Sequence, residues 1–229
     1  SPFTEGPDSV PGLNAVYKLS TSSVESSSFV NAYGTSTESW VCYGYYGAGR
    51  IVYLGYDWYA TSSNSAWNQV LSAGLTGPVP TSMPSVSLQP SLSMVPTPAP
   101  TTQDALVFVN PSYVDADGEA ENLRGSLSLE GISYGTTSAL SPPDSGALVI
   151  PELEIAAITP SAGEISALQA FVTGGGTFLI CGDYSGRAAS LINTLFGTSL
   201  SYYSSSTSGS ASITSEGSTS ADSPFTEGP

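Results

Sequence analysis

The chain opens with Ser1-Pro2-Phe3-Thr4-Glu5-Gly6-Pro7 and carries the same seven residues again as Ser223-Pro224-Phe225-Thr226-Glu227-Gly228-Pro229. Seven identical residues that include two prolines and a phenylalanine do not recur by chance over this length. The displacement of 222 positions, from Ser1 to Ser223, far exceeds the roughly 20–50-residue periods of solenoids. It suits whole domains repeated in tandem. On that view residues 1–229 are one period of a longer polymer, and 223–229 overlap into the next copy. The alternative is a tag or cloning scar at both ends.

Composition narrows the function. Four lysines and arginines stand against 19 acids, for a net charge of −15. Such a chain repels phosphate backbones and anionic bilayers, so nucleic acid is not an expected partner. No apolar run approaches the roughly 18–20 residues of a membrane helix, so membrane insertion is not expected either. Serine and threonine take over solubility from charge, which suits a secreted or cell-surface protein bearing sugars. Asn110 is followed by proline and Asn64 by Ser65-Ala66, and no Asn-x-Ser/Thr sequon occurs. Attached glycans would therefore be O-linked. There is no histidine. That removes the usual base for a cysteine or serine nucleophile and most zinc sites. No catalytic residue and no enzymatic activity are expected.

Periodicity divides the chain in three. Residues 1–75 hold a strand-like stretch at 14–19 and a hairpin. Its strands are Trp40–Tyr46 and Arg50–Gly55, and its turn is Gly47-Ala48-Gly49. A helix follows, with Trp67, Val70 and Leu71 on one face. Residues 76–103 are rich in proline, serine and threonine and read as an extended linker. At about 3.1 Å per residue it reaches on the order of 85 Å, against a domain gyration radius of about 16 Å. Residues 104–229 alternate buried strands with helices. The strands are Ala105–Val109, Gly131–Tyr134, Ala147–Ile150 and Thr177–Cys181. The helices span Asp117–Leu129, a stretch opened by a Ser161/Glu164 capping box, and Arg187–Phe196. Gly174-Gly175-Gly176 stops the second of these, and 201–222 read as an exposed loop or irregular edge hairpin. This pattern predicts an α/β fold: a doubly wound, mostly parallel flavodoxin-like sheet with an antiparallel hairpin edge. Residues 104–222 form the front of a module, and 1–75 form the back of the preceding one.

Ala105–Asn110, Gly174–Asp183 and Gly49–Trp58 carry a resemblance. Joined through the repeat, the module resembles class I glutamine-amidotransferase-like domains with a flavodoxin-like sheet. That family uses a Cys-His-Glu triad, and Cys181 lies near the expected nucleophile. The Gly-x-Cys-x-Gly elbow is missing, however, since the run is Ile180-Cys181-Gly182-Asp183-Tyr184. The resemblance thus implies a degenerate, non-catalytic relative. The stretch Pro80–Ser91 is similar to Pro-Ser/Thr repeats of algal cell-surface proteins. That likeness implies O-linked glycans at Thr81, Ser82, Ser85, Ser87, Ser91, Ser93, Thr97, Thr101 and Thr102, and hydroxylated, glycosylated Pro84, Pro90 and Pro96.

Several smaller constellations are candidates for chemistry. Asp115, Asp117 and Glu119 alternate around Gly118 as calcium ligands do, although acids at a helix start also answer the helix dipole. No cofactor other than calcium is expected. Tyr56, Trp58 and Tyr59 beside Asp57 suit sugar stacking or an interface, at the sheet edge where doubly wound folds bind ligands. Glu152 and Glu154 read as a solvated loop end rather than a glycosidase pair. Cys42 and Cys181 either form one disulfide or serve as buried thiols. Together these features point to a structural protein that self-associates into an extracellular, glycosylated helical fibre. The alternatives are a cell-surface adhesin binding polysaccharide or calcium, and the degenerate amidotransferase or hydrolase.

Overall fold

In the computed structural model, residues 1–12, 16–59, 64–77, 104–144, 146–206 and 208–215 are described. The linker beyond Gly77, with its glycosylation candidates from Thr81 to Thr102, and the second heptapeptide lie outside them. The strands are β1 (Ser9–Pro11), β2 (Val16–Ser20), β3 (Val30–Gly34), β4 (Glu38–Tyr46), β5 (Gly49–Leu54), β6 (Ala105–Phe108), β7 (Tyr134–Thr137), β8 (Ala147–Ile150), β9 (Thr177–Cys181), β10 (Tyr202–Ser206) and β11 (Ser210–Ser212). The helices are α1 (Thr21–Ser26), α2 (Ser65–Thr76), α3 (Glu119–Leu129), α4 (Ala162–Thr173) and α5 (Arg187–Phe196).

Among the described residues nine strands form one sheet, in the order β10-β2-β4-β5-β9-β8-β6-β7, with β3 also on β4. The run β5-β9-β8-β6-β7 is parallel throughout. β10, β2, β3 and β4 extend it antiparallel. The protein is therefore mixed α/β with a mostly parallel central sheet, compatible with a flavodoxin-like layout. The continuous apolar runs occur because both faces are covered. Val52, Leu54, Val107, Val149 and Leu179 face Trp67, Val70 and Leu71 of α2 and Leu123 and Leu127 of α3. Ile51, Tyr53, Leu148, Phe178 and Ile180 face Leu168 and Val172 of α4 and Leu191, Ile192 and Leu195 of α5.

Local chemistry sets the element ends. Ser161 and Glu164 form the expected capping box on α4. α3 begins at Glu119, not at Asp117, because the Asp115 carboxylate accepts the Gly118 N–H and holds the chain in a turn. The strand expected at 131–134 starts only at Tyr134. Gly131 is left-handed (φ 70°) and the Ile132 N–H bonds back to Leu127 O, so these residues finish α3. The β4–β5 hairpin forms as expected but lies inside the sheet, between β2 and β9, rather than at an edge. Its turn needs glycine for space: a Cβ at Gly49 would meet Val172 O at 2.0 Å. The segment after α5 supplies the irregular edge strand instead, as β10 with a bulge between Tyr202 and Ser204.

The two sides of the linker interlock. Phe3 is fully buried, edge-on to Tyr33 (centroids 6.0 Å) and tilted against Tyr43 (5.7 Å). The Tyr33 hydroxyl donates to Pro7 O at 2.8 Å. The buried Arg50 guanidinium donates to Gly77 O (3.0 Å), Leu75 O (3.1 Å) and Thr177 Oγ1 (3.5 Å). It thereby satisfies carbonyls at the end of α2 that the helix leaves open. β1 pairs with β11, and the Ile213 N–H donates to Asp8 O at 2.9 Å.

Candidate functional site

Parallel strands deliver whatever follows them to one edge of the sheet, where doubly wound folds bind ligands. Here β5 leads into Asp57 and β8 into Glu152, and α3 presents Glu119 in its first turn. These three carboxylates converge, with one oxygen of each within 4.8 Å of the others. They lie in a pocket of about 370 Å³, shared with Tyr17, Tyr59, Glu154 and Tyr184. Asp57, Glu119 and Glu152 are 4%, 2% and 1% exposed, so this is not a solvated charge run.

Tyr17 lies beside Glu152, and Glu119 and Glu152 lie side by side. Asp57 Oδ1 accepts the Tyr59 N–H at 3.0 Å. Glu119 Oε2 and Glu152 Oε1 are buried without a hydrogen-bond partner. Burial pushes both glutamates well above the usual carboxylate range, and the neighbouring acids push them further. An orphaned buried oxygen costs about 1–3 kcal/mol, more when charged. Three clustered acids therefore either share protons or hold a cation. With no histidine in the chain, the donor set is oxygen alone, which suits a hard ion.

The surrounding loops are held firmly. Arg187 Nη1 donates to Leu153 O at 2.7 Å and also to Glu154 O, fixing the segment after β8. Buried Asp183, after β9, accepts the Ala188 and Ala189 N–H groups at 2.7 and 3.4 Å and so caps α5. Burial raises Asp183 to about 6, against the pull of those two amides.

The sequence candidates fall unevenly around this centre. Of Asp115, Asp117 and Glu119, only Glu119 joins the converging group; Asp115 is occupied with Gly118 and Asp117 is exposed. Tyr56 and Trp58 are not a ligand or interface platform. Both are fully buried: Tyr56 stacks on Trp67 (5.1 Å, 9°) and the Trp58 indole donates to Ser126 Oγ at 2.8 Å. Of that trio only Tyr59 is exposed, at 66%. Cys42 and Cys181 are free and buried, so the disulfide alternative fails. β5 lies between their strands, which places them about two strand spacings apart, ~9–10 Å. A disulfide needs Cα atoms within about 7 Å. Burial raises both thiols far above their ordinary value, and the chain has no histidine to activate Cys181.

From sequence, Glu152 reads as a solvated loop end and Asp57 only as a companion of aromatics. The missed signal was their shared position, immediately after strands of one parallel sheet. Comparison with protein-family models, with characterised proteins and with solved structures finds no match to this chain.

Proposed function

We propose that this chain is a structural protein, the repeat unit of an extracellular filament in which sheet modules alternate with glycosylated proline-rich linkers. The observation that carries this reading is the way residues 1–77 and 104–215 complete one sheet. The five parallel strands lie in the order β7-β6-β8-β9-β5. Counted from Asp104 onward and continued into residues 1–77 of a next copy, that order becomes 2-1-3-4-5, the flavodoxin-like arrangement. The permuted order then has a simple origin: the module runs from 104 through 222 into the next heptapeptide.

Three further features support it. Asp8 and Ile213 are hydrogen-bonded, so a short connection from 215 to 1 closes the module. Phe3 is a core residue, which favours the heptapeptide as native sequence over an appended tag. Each copy then sends its proline-rich segment onward to the following module, at high effective concentration for head-to-tail contact. The linker composition supports O-linked glycans, and the acidic, hydroxyl-rich sequence supports an extracellular location.

Intact-mass analysis and electron microscopy of native material test this together. The expected result is a mass of several periods plus heterogeneous hexose or pentose increments, with fibres showing one axial repeat per module. A single unmodified copy that stays dispersed would refute it.

A further inference from the structure

We propose that Asp57, Glu119 and Glu152 form a calcium site that ties the sheet segment of residues 1–77 to that of residues 104–215. The geometry carries the assignment. One oxygen from each carboxylate lies within 4.8 Å of the others, so the three converge where a single hard cation can gather them. Magnesium, at about 2.0–2.1 Å, demands a stricter octahedron and keeps more of its waters, whereas calcium accepts irregular sets of about six to eight oxygens. Zinc would want imidazole or thiolate; the chain has no histidine, and burial keeps the Cys181 thiol protonated.

The second observation is independent of charge. Glu119 Oε2 and Glu152 Oε1 are polar atoms of side chains 2% and 1% exposed, with no hydrogen-bond partner. Buried acceptors are almost always satisfied in folded proteins. A cation supplies the missing partner and compensates the clustered charge in the same step. The pocket of about 370 Å³ leaves room for the waters that fill calcium's remaining positions.

The ligands come from separate parts of the chain. Asp57 precedes the linker, whereas Glu119 and Glu152 follow it. The same seam carries the Trp58 indole bond to Ser126 and the Asn122 amide bond to Trp58 O at 2.9 Å. Calcium would close this seam at the carboxyl ends of the strands, as Arg50 closes it at the other end through Thr177. The site does not depend on the tandem reading, because residues 1–77 and 104–215 complete the same sheet whether one copy or two supply them.

The test uses the full chain, stripped with EDTA and titrated with calcium chloride alone near neutral pH. Calorimetry should report one dominant site per chain, with Kd on the order of 10⁻⁵–10⁻³ M. Saturating calcium should raise Tm by about 5 °C or more. Glu119→Gln and Glu152→Gln mimic the protonated acids, so both variants should fold without metal, as circular dichroism will show. Each should weaken the dominant event by at least about tenfold and lose most of the Tm gain. Absence of the event in the wild type, or its persistence in either variant, overturns the proposal. Terbium provides a readout that needs no variant. Tyr17, Tyr59 and Tyr184 line the pocket, so tyrosine excitation should sensitise terbium emission that calcium then displaces. No sensitised emission from the wild type would overturn the assignment equally.

Discussion

Replacing Phe3 with alanine separates a built-in heptapeptide from an appended one. The ring is completely buried and meets two aromatic neighbours, Tyr33 at 6.0 Å and Tyr43 at 5.7 Å. Its walls also include the α2 backbone: a Cβ on Gly74 would sit 3.8 Å from the Phe3 ring. A site walled by rings and helix backbone collapses poorly, so the cost falls in the ordinary range for a core phenylalanine, about 3–5 kcal/mol. For a chain of this size each kcal/mol moves Tm by about 2–4 °C, which gives a drop of roughly 6–20 °C when the socket stays empty. A peptide lying loosely on the surface would cost about 0.5 kcal/mol or less. The second heptapeptide sharpens the experiment. Thr214 is bonded to Ala32, next to Tyr33 in the wall of the same socket. The ten positions from Ser215 to Phe225 can span up to about 33 Å, so residues 223–229 can enter a vacated socket. Phe225→Ala alone should leave Tm unchanged. Added to Phe3→Ala, it should lower Tm further, because the spare plug is gone. Scanning calorimetry with urea titration reads all three variants. A double variant within about 0.5 kcal/mol of wild type would refute the reasoning.

Two further outcomes follow from buried titratable groups. Asp183 titrates near 6 in the folded protein, against 3.8 ordinarily. The native state thus keeps a proton that the unfolded state gives up between about pH 4 and 6, and its stability rises on acidification through that window. Asp183→Asn keeps the acceptor for Ala188 and Ala189, so urea midpoints should flatten over this window. At pH 7 the variant should gain up to about 3 kcal/mol. Cys42 and Cys181 are free and buried. Iodoacetamide should leave the folded protein unlabelled and add two groups after unfolding without reductant, as mass spectrometry will read; a missing second group would contradict the strand separation.

Much of the fold was legible because its signals are local. The runs at 105–109, 147–150 and 177–181 are apolar without alternation, and only a doubly covered strand tolerates that. The Ser161/Glu164 box and the Gly131 region mark helix ends through bonds that span a few residues. Elsewhere a tertiary contact decided. The aromatic run after β5 reads as a sugar platform or an interface, yet Tyr56 stacks on Trp67 of the α2 helix and Trp58 reaches Ser126 in α3. Trp58 even adopts a left-handed backbone (φ 61°) beside Asp57, a conformation no residue pattern announces.

By itself the chain determined its class, its repeat, its lack of histidine-based chemistry and most of its strands and helices. Those depend on composition and on periods of two or 3.6 residues, which neighbours along the backbone dictate. Only the tertiary structure decided that Asp57, Glu119 and Glu152 meet. They stand far apart in the sequence, and each looks ordinary where it stands: an acid by aromatics, an acid at a helix start, an acid after a strand. Their convergence depends on which strands lie side by side in the sheet. That order is chosen by burial on both faces at once, and no local stretch of chain encodes it.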